Sequence, residues 1–248
     1  MFVPTVIESI KQHAIKDYPN ESCGVVVKSD DGEFVYRELP NLAAEPENTF
    51  EIDERLLIAL GDKLAAVVHS HPMGPDYPSQ ADMEQQVAWN VPFGIVSTDG
   101  VGCLPPFFWG DSVPIPPLIG RGFRHGVTDC YAMVRDYYRE KLNITLNEYP
   151  REWGWWQNGQ SLYQDFFERE GFSRITPAEV REHDCFLAQI RSDTPNHAGV
   201  YVGGNLILHH LTSSLGSDPA RISRREPVAG WAKFICGFWV RHESQQHD

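Results

Sequence analysis

Apolar positions recur at helical spacing from the start of the chain. Val6, Ile7, Ile10 and Ala14 share one face of a segment that opens at Pro4 and is closed by Pro19, which predicts an amphipathic helix. The unbroken run CGVVV at 23–27 predicts a buried strand, 31–39 a second strand, and 56–64 part of a short helix. The run Ala65-Ala66-Val67-Val68 returns to strand and leads straight into His69. Residues 79–89 read as a helix, and 93–97 and 101–108 as a hairpin around Asp99-Gly100. Further on, the pattern predicts a helix over about 129–142 and another around 162–170. Strands are predicted at 185–190, 198–202, 206–211 and 234–241.

Between these halves, PPFFWGDSVPIPPLIGRG carries Pro105, Pro106, Pro114, Pro116 and Pro117, which cannot sit in central strands and stiffen a connector. A boundary near Ser112 fits the length: 248 residues at roughly 150 per domain give about 1.7 domains. The expected division is 1–111, a proline-rich linker at 112–121, and 122–248.

Composition then removes whole classes. With 42% hydrophobic and 22% charged residues the chain is neither disordered nor a membrane bundle. No stretch reaches the ~18 apolar residues a membrane span needs. The net charge of -13 repels phosphate backbones, so no specific nucleic acid is expected as a partner. Cys23, Cys103, Cys130, Cys185 and Cys236 are odd in number and form no C-x-x-C pair, which suggests neither a disulfide framework nor a cysteine metal site and leaves at least one free thiol. The first twenty residues lack a basic segment followed by an apolar run, so no secretory signal is read and synthesis in a cytoplasm is expected.

The first chemistry-bearing pattern is His69, His71, Ser79 and Asp82, spaced H-x-H-x7-S-x2-D. Histidines at i and i+2 of a strand point to the same side and can reach one ion, and Asp82, one turn into the following helix, can supply a third ligand. Three protein ligands and an open position describe catalytic zinc, which lowers the pKa of a water toward about 7. A carboxylate base is still required. Glu21, opening the buried strand in NESCGVVV, is the candidate, and Ser79 the hydroxyl for an oxyanion. The competing reading is that Ser79-x-x-Asp82 is a helix capping box and nothing more. Glutamate in E-x-C-G, then H-S-H-P, then S-x-x-D resembles the JAMM/MPN metallopeptidase family over residues 1–111. The resemblance implies an α/β fold with a central sheet, one zinc ion on His69, His71 and Asp82, Glu21 as general base, Ser79 as oxyanion donor, and cleavage of an amide or isopeptide bond.

The second pattern begins at Cys130. With Thr128 as the predicted N-cap, Cys130 falls in the first turn of a helix, where the dipole favours a thiolate and a lowered pKa. His197 stands at the start of a strand, and His209 returns beside it across a Gly203-Gly204-Asn205 turn. Nucleophile, base and orienting group complete a set for acyl transfer through a thioester. Alternation of strand side chains means that only one of His209 and His210 can orient His197, and the spacing selects His209. The competing reading makes Cys130 the core-facing end of an amphipathic helix. His125 and Asp129 lie near the nucleophile with roles left open, and Trp153, Trp155 and Trp156 read as loop packing or as a platform for a sugar or peptide. D-C at a helix head, H-A-G-V-Y-V-G, and a polar residue twelve positions after His197 resemble the NlpC family of cell-wall cysteine peptidases. This implies a papain-like α+β domain that cuts peptidoglycan stem peptides, typically between D-glutamyl and diaminopimelate residues, with Cys130, His197 and His209 as nucleophile, base and orienter. Tyr131 stands where that family commonly has a small residue.

A JAMM-type domain followed at once by an NlpC-type domain, with the ending SRREPVAGWAKFICGFWVRH, resembles the tail assembly protein K family of lambda-like siphophages. That resemblance implies a bifunctional hydrolase with other tail-tip proteins as partners and bacterial peptidoglycan as substrate. It implies a location in the host cytoplasm during assembly and then at the virion tail tip, acting in the host cell envelope as the genome enters. The alternative from another class is a structural tail-tip plug or adaptor whose sites turn over nothing. Against it stands the cost of keeping unpaired polar groups buried without use.

Overall fold

The computed structural model describes residues 1–212, 222–235 and 237–245. The chain divides into two compact units, Met1–Pro114 and Ile115–Asp248.

In the first unit, α1 (Pro4–Asp17) starts with proline in its first turn, where no N–H is needed. It buries Val6, Ile10 and Ala14 against Val26, Ala66, Val68 and Val96 of the sheet. Each fully buried aliphatic side chain there contributes about 1.5–3 kcal/mol. The chain continues through β1 (Cys23–Lys28), β2 (Phe34–Leu39), α2 (Glu54–Leu60), β3 (Leu64–Pro72), α3 (Gln80–Trp89), β4 (Phe93–Thr98) and β5 (Phe107–Trp109). The sheet order is β2-β1-β3-β4-β5. Only β3 and β4 run parallel, with α3 as their crossover. This is the expected α/β unit around a central sheet. The predicted strand at 101–108 is largely absent: a single bridge joins Thr98 to Cys103, and pairing with β4 resumes only in β5. Pro105 and Pro106, which have no N–H to give to a ladder, lie in the gap.

The second unit is α+β. It contains α4 (Cys130–Leu142), α5 (Leu162–Phe166), β6 (Phe172–Ile175), β7 (Cys185–Ala188), β8 (His197–Tyr201), β9 (Leu206–His209), β10 (Arg224–Pro227), α6 (Ala232–Ile235) and β11 (Trp239–His242). The six strands pair antiparallel in the order β10-β9-β8-β7-β11-β6. α4 buries Met133, Val134, Tyr137 and Tyr138 with Cys185, Leu187, Ala198, Val200 and Leu208 of the sheet. Phe186, Ile207, Trp231, Ile235 and Trp239 make a second cluster, as period-two alternation requires.

Four sequence expectations change here. The N-cap of α4 is Asp129, whose carboxylate accepts from the Ala132 N–H, while the Thr128 hydroxyl donates to the Gly122 carbonyl. The strand expected at 234–241 is a short helix followed by β11, with Gly237 at φ 72 between them, a left-handed conformation that interrupts a strand. Part of that prediction, Cys236, lies outside the described residues. The helix expected around 162–170 ends at Phe166. Strands β6 and β10 were not predicted. FSRI and RREP are four-residue segments with burial patterns Beei and ieie, too short and too polar to produce an apolar signal. No described helix is long and apolar enough to cross a membrane.

Candidate active sites

The geometry of the first site follows from strand register. β1 and β3 pair with Cys23 opposite His69, and beyond that pair Ser70 N–H donates to the Ser22 carbonyl. The register therefore sets Glu21 across from His71, on the same face of the sheet. Glu21 is held there by its own N–H to the Pro46 carbonyl and by the Asn41 side-chain amide on its carbonyl. Burial pushes its carboxyl up to about 7, with His71 opposing and Asp82 adding to the rise.

His69 and His71 end β3 with Nε2 atoms 3.1 Å apart. Asp82, in the first turn of α3, brings Oδ1 to 3.2 Å from His69 Nε2 and Oδ2 to 3.6 Å from His71 Nε2. All three side chains are buried. His71 Nδ1 donates to the Pro75 carbonyl at 2.8 Å, since a carbonyl can only accept, and in the neutral ring its Nε2 is the lone-pair nitrogen facing the cluster. Four ligands at about 2.0–2.1 Å around zinc are separated by about 3.3 Å, close to the spacings of His69 Nε2 to His71 Nε2 at 3.1 Å and to Asp82 Oδ1 at 3.2 Å. The donor set fits a metal ion, and Phe50 stacked on His69 at 4.3 Å fixes that ring. The capping box also exists: Ser79 accepts from the Asp82 N–H and donates through both its N–H and its hydroxyl to Asp82 Oδ2. Capping and ligand geometry coexist because Asp82 uses Oδ2 for the cap and presents Oδ1 to His69.

In the second unit, Cys130 is the first residue of α4, and its sulfur lies 3.2 Å from the Tyr163 hydroxyl. The lowered thiol pKa expected from the helix N-terminus is overturned. Burial, with the Asp129 carboxylate adding to it, pushes the thiol up to about 11, while Tyr163 and the Ala198 backbone favour the thiolate. A helix N-terminus offers about 0.3–1 kcal/mol, less than one pKa unit, and desolvation outweighs it. Asp129 is itself ionised: against its burial, Arg151 and His125 hold the carboxyl below the ordinary range. Arg151 Nη2 sits 2.6 Å from Asp129 Oδ2, and His125 Nε2 donates to the Arg151 carbonyl. His125 and Asp129 thus brace the helix head, together with an arginine that no sequence signal marked.

His197 and His209 meet with Nε2 and Nδ1 2.9 Å apart. They are not direct cross-strand partners, because His209 pairs with Gly199, and the contact is diagonal. A Cβ on Gly199 would lie 2.6 Å from Phe186 and 2.7 Å from the His209 Cβ. Gly199→Ala is therefore expected to cost about 1–3 kcal/mol of stability and to displace the His209 ring, which thermal unfolding and histidine NMR shifts will report. Behind His209 stands Glu226, its Oε2 3.0 Å from His209 Nε2. It sits in the short charged segment RREP, which carries no apolar or catalytic signature in the sequence.

Cys130, His197, Tyr163 and Asn196 line a cavity of about 990 Å³, including solvent at its mouth, walled by Trp153, Trp155, Trp156, Tyr131 and Tyr149. Trp155 is buried and Trp153 half-exposed, so the tryptophans combine packing with an open aromatic wall. His210 also lines this cavity. It is fully buried, and neither ring nitrogen has a partner with hydrogen-bond geometry among the described residues. Burial, with Arg121 adding to it, pushes it down to about 4 against the Thr128 backbone and the Asp129 carboxylate.

Comparison with known proteins finds a family match in each half of the chain. Residues 4–108 match the prokaryotic homologs of the JAB domain, and residues 106–237 match the NlpC/P60 family. The chain is 34% identical over 236 residues to tail tip assembly protein K of Escherichia phage N15, covering 91% of this chain and 89% of that protein. It is 35% identical over 183 residues to the tail tip assembly protein K of Escherichia phage lambda, covering 73% and 83%. Over 109 residues it is 35% identical to a probable TtuB-protein conjugate cleaving protease of Thermus thermophilus, covering 41% and 72%. With a JAB-type domain, an NlpC/P60 domain and a match along most of its length, the chain belongs to the tail tip assembly protein K family.

Proposed function

We propose that this protein is a tail-tip component with two hydrolytic centres, and that the C-terminal one, in residues 122–248, cleaves stem peptides of bacterial peptidoglycan. The observation that carries the reading is Cys130 at a helix head in the same aromatic-walled cavity as His197, which is backed in turn by His209. His197 takes the proton from Sγ as the sulfur attacks the peptide carbonyl. The thioester forms as the proton returns to the leaving amine, and water then releases the acyl group. The raised thiol pKa favours transfer of the proton during attack over a standing thiolate. His209 orients His197, and the tryptophan-rich wall accommodates the substrate.

In residues 1–111, ahead of a connector at 112–121, His69, His71 and Asp82 would hold one zinc ion. Zinc bound there supplies Lewis acidity and makes water a usable nucleophile near neutral pH. Glu21, with a pKa near 7, is suited to accept a proton and pass it to a leaving amine. Ser79 is assigned to the oxyanion, which requires its hydroxyl to turn from Asp82 toward the substrate. The bond cut is an amide or isopeptide. By kinship with the tail tip proteins of N15 and lambda, we place the protein in the host cytoplasm during assembly and then in the virion tail, with other tail proteins as partners.

The test is incubation of the purified full chain with sacculi, followed by chromatography of the released muropeptides. Products shortened within the stem peptide are expected, and no release above a protein-free control would overturn the reading.

A further inference from the structure

The histidine pair in the second unit is terminated by a carboxylate that the Cys-His-His assignment does not use. Glu226 lies on β10, at the edge of the sheet. Its Oε2 contacts His209 Nε2 at 3.0 Å and accepts from the Trp231 indole N–H at 2.6 Å, while Oε1 accepts from Arg224 Nε at 2.7 Å. Two donors besides the histidine therefore hold the carboxylate in place. The Trp231 ring also stands edge-on to His209 at 4.4 Å, so the imidazole is fixed from the side as well as from its end.

We propose that Glu226 is a positioning residue of this site: acting through His209, it fixes which nitrogen of His197 carries the proton. The inference rests on the reading of His197 as the base of a cysteine peptidase. The hydrogen bond to His209, with those from Trp231 and Arg224, outweighs partial burial and holds Glu226 down at about 2, so its carboxylate only accepts. His209 must then carry its proton on Nε2, and in the neutral ring Nδ1 is the lone-pair nitrogen. That nitrogen faces His197 Nε2 at 2.9 Å, which must in turn be the donor. His197 Nδ1 is left as the basic nitrogen, able to take the proton released when the Cys130 S–H bond breaks.

Without the carboxylate the chain can run the other way. His209 Nδ1–H would donate to His197 Nε2, and His197 would hold a proton on Nδ1 and be unable to accept the thiol's. Among the described residues, Arg224 is engaged with Glu226, and the neighbouring His210 is kept neutral by burial.

The experiment uses the full chain labelled with 15N-histidine, comparing wild type, Glu226→Leu, His209→Asn and the double variant. Leucine keeps side-chain bulk and offers His209 Nε2 no acceptor, whereas a glutamine oxygen serving Trp231 would also serve His209, since both meet Oε2. In the wild type, nitrogen shifts should show protonated Nε2 and lone-pair Nδ1 on both His197 and His209. In Glu226→Leu the reversed form should become populated, and kcat for muropeptide release should fall about 10- to 100-fold with KM within about twofold. In the His209→Asn background, where asparagine accepts from His197 directly, adding Glu226→Leu should change kcat less than twofold, the coupling expected of residues acting in series. Unchanged histidine shifts in Glu226→Leu, or an equal loss in both backgrounds, would overturn the inference. Tautomer reversal in a protein that releases no muropeptide would uphold it while overturning the peptidase reading alone.

Discussion

Cys130→Ala should reduce muropeptide release by about ten thousandfold or more, to the level of a protein-free control, while leaving the fold intact. Loss of the group that forms the covalent bond removes the reaction path itself, and residual catalysis from binding and oxyanion contacts is small. The side chain is only partly buried and contacts Tyr163 at the cavity wall, so unfolding should shift by no more than about 1 kcal/mol. Circular dichroism and thermal unfolding check that half of the prediction. Alkylation adds a measurement independent of substrate. With the thiol raised to about 11, reaction with iodoacetamide should be slow at pH 7 and climb steadily above pH 9. Equal muropeptide release by the variant would remove Cys130 from the mechanism, and fast alkylation at pH 6 would mean that a thiolate is already formed at rest.

How far the sequence carried this picture depended on the kind of signal each part leaves. Strand β3 and helix α3 were readable because an apolar run and a helical period flank the two histidines, and strand alternation alone aims both imidazoles the same way. Glu21 had no such local argument; its placement needed the antiparallel register of β1 on β3, a long-range fact. The Cys130 helix was found, yet its cap was assigned one residue early. Threonine and aspartate are both good N-caps, and what separates them is tertiary: the Gly122 carbonyl takes the Thr128 hydroxyl, and Arg151, from a loop with no periodicity, holds Asp129. The direction of the thiol pKa failed for a related reason. The helix dipole can be read from sequence, whereas desolvation by a cavity wall assembled from residues spread between 123 and 240 cannot. Glu226 was missed because β10 is short, charged and at a sheet edge, so nothing apolar marked it as paired to the strand that carries His209.

Removal of the first-site ligands should have the other large effect, and it separates the two roles that Asp82 plays. Purified under non-chelating conditions, the wild type should carry about one zinc per chain, and His71→Ala should carry less than about a tenth of that. A ligand bound only to the folded state stabilises it by about 2.7 kcal/mol when its concentration is a hundred times Kd. A chelator should therefore lower the wild-type Tm by several degrees and leave the Tm of His71→Ala unmoved. Ser79→Ala is the control for capping. It removes the hydroxyl that accepts from the Asp82 N–H and donates to Oδ2, and a lost N-cap costs about 1 kcal/mol whether or not metal is present. In that variant the chelator should still lower Tm, because His69, His71 and the Oδ1 side of Asp82 remain. If the wild type binds no zinc and its Tm is indifferent to chelator while Ser79→Ala still loses about 1 kcal/mol, then Asp82 is a helix cap alone. The closely spaced imidazole nitrogens would then need a different occupant.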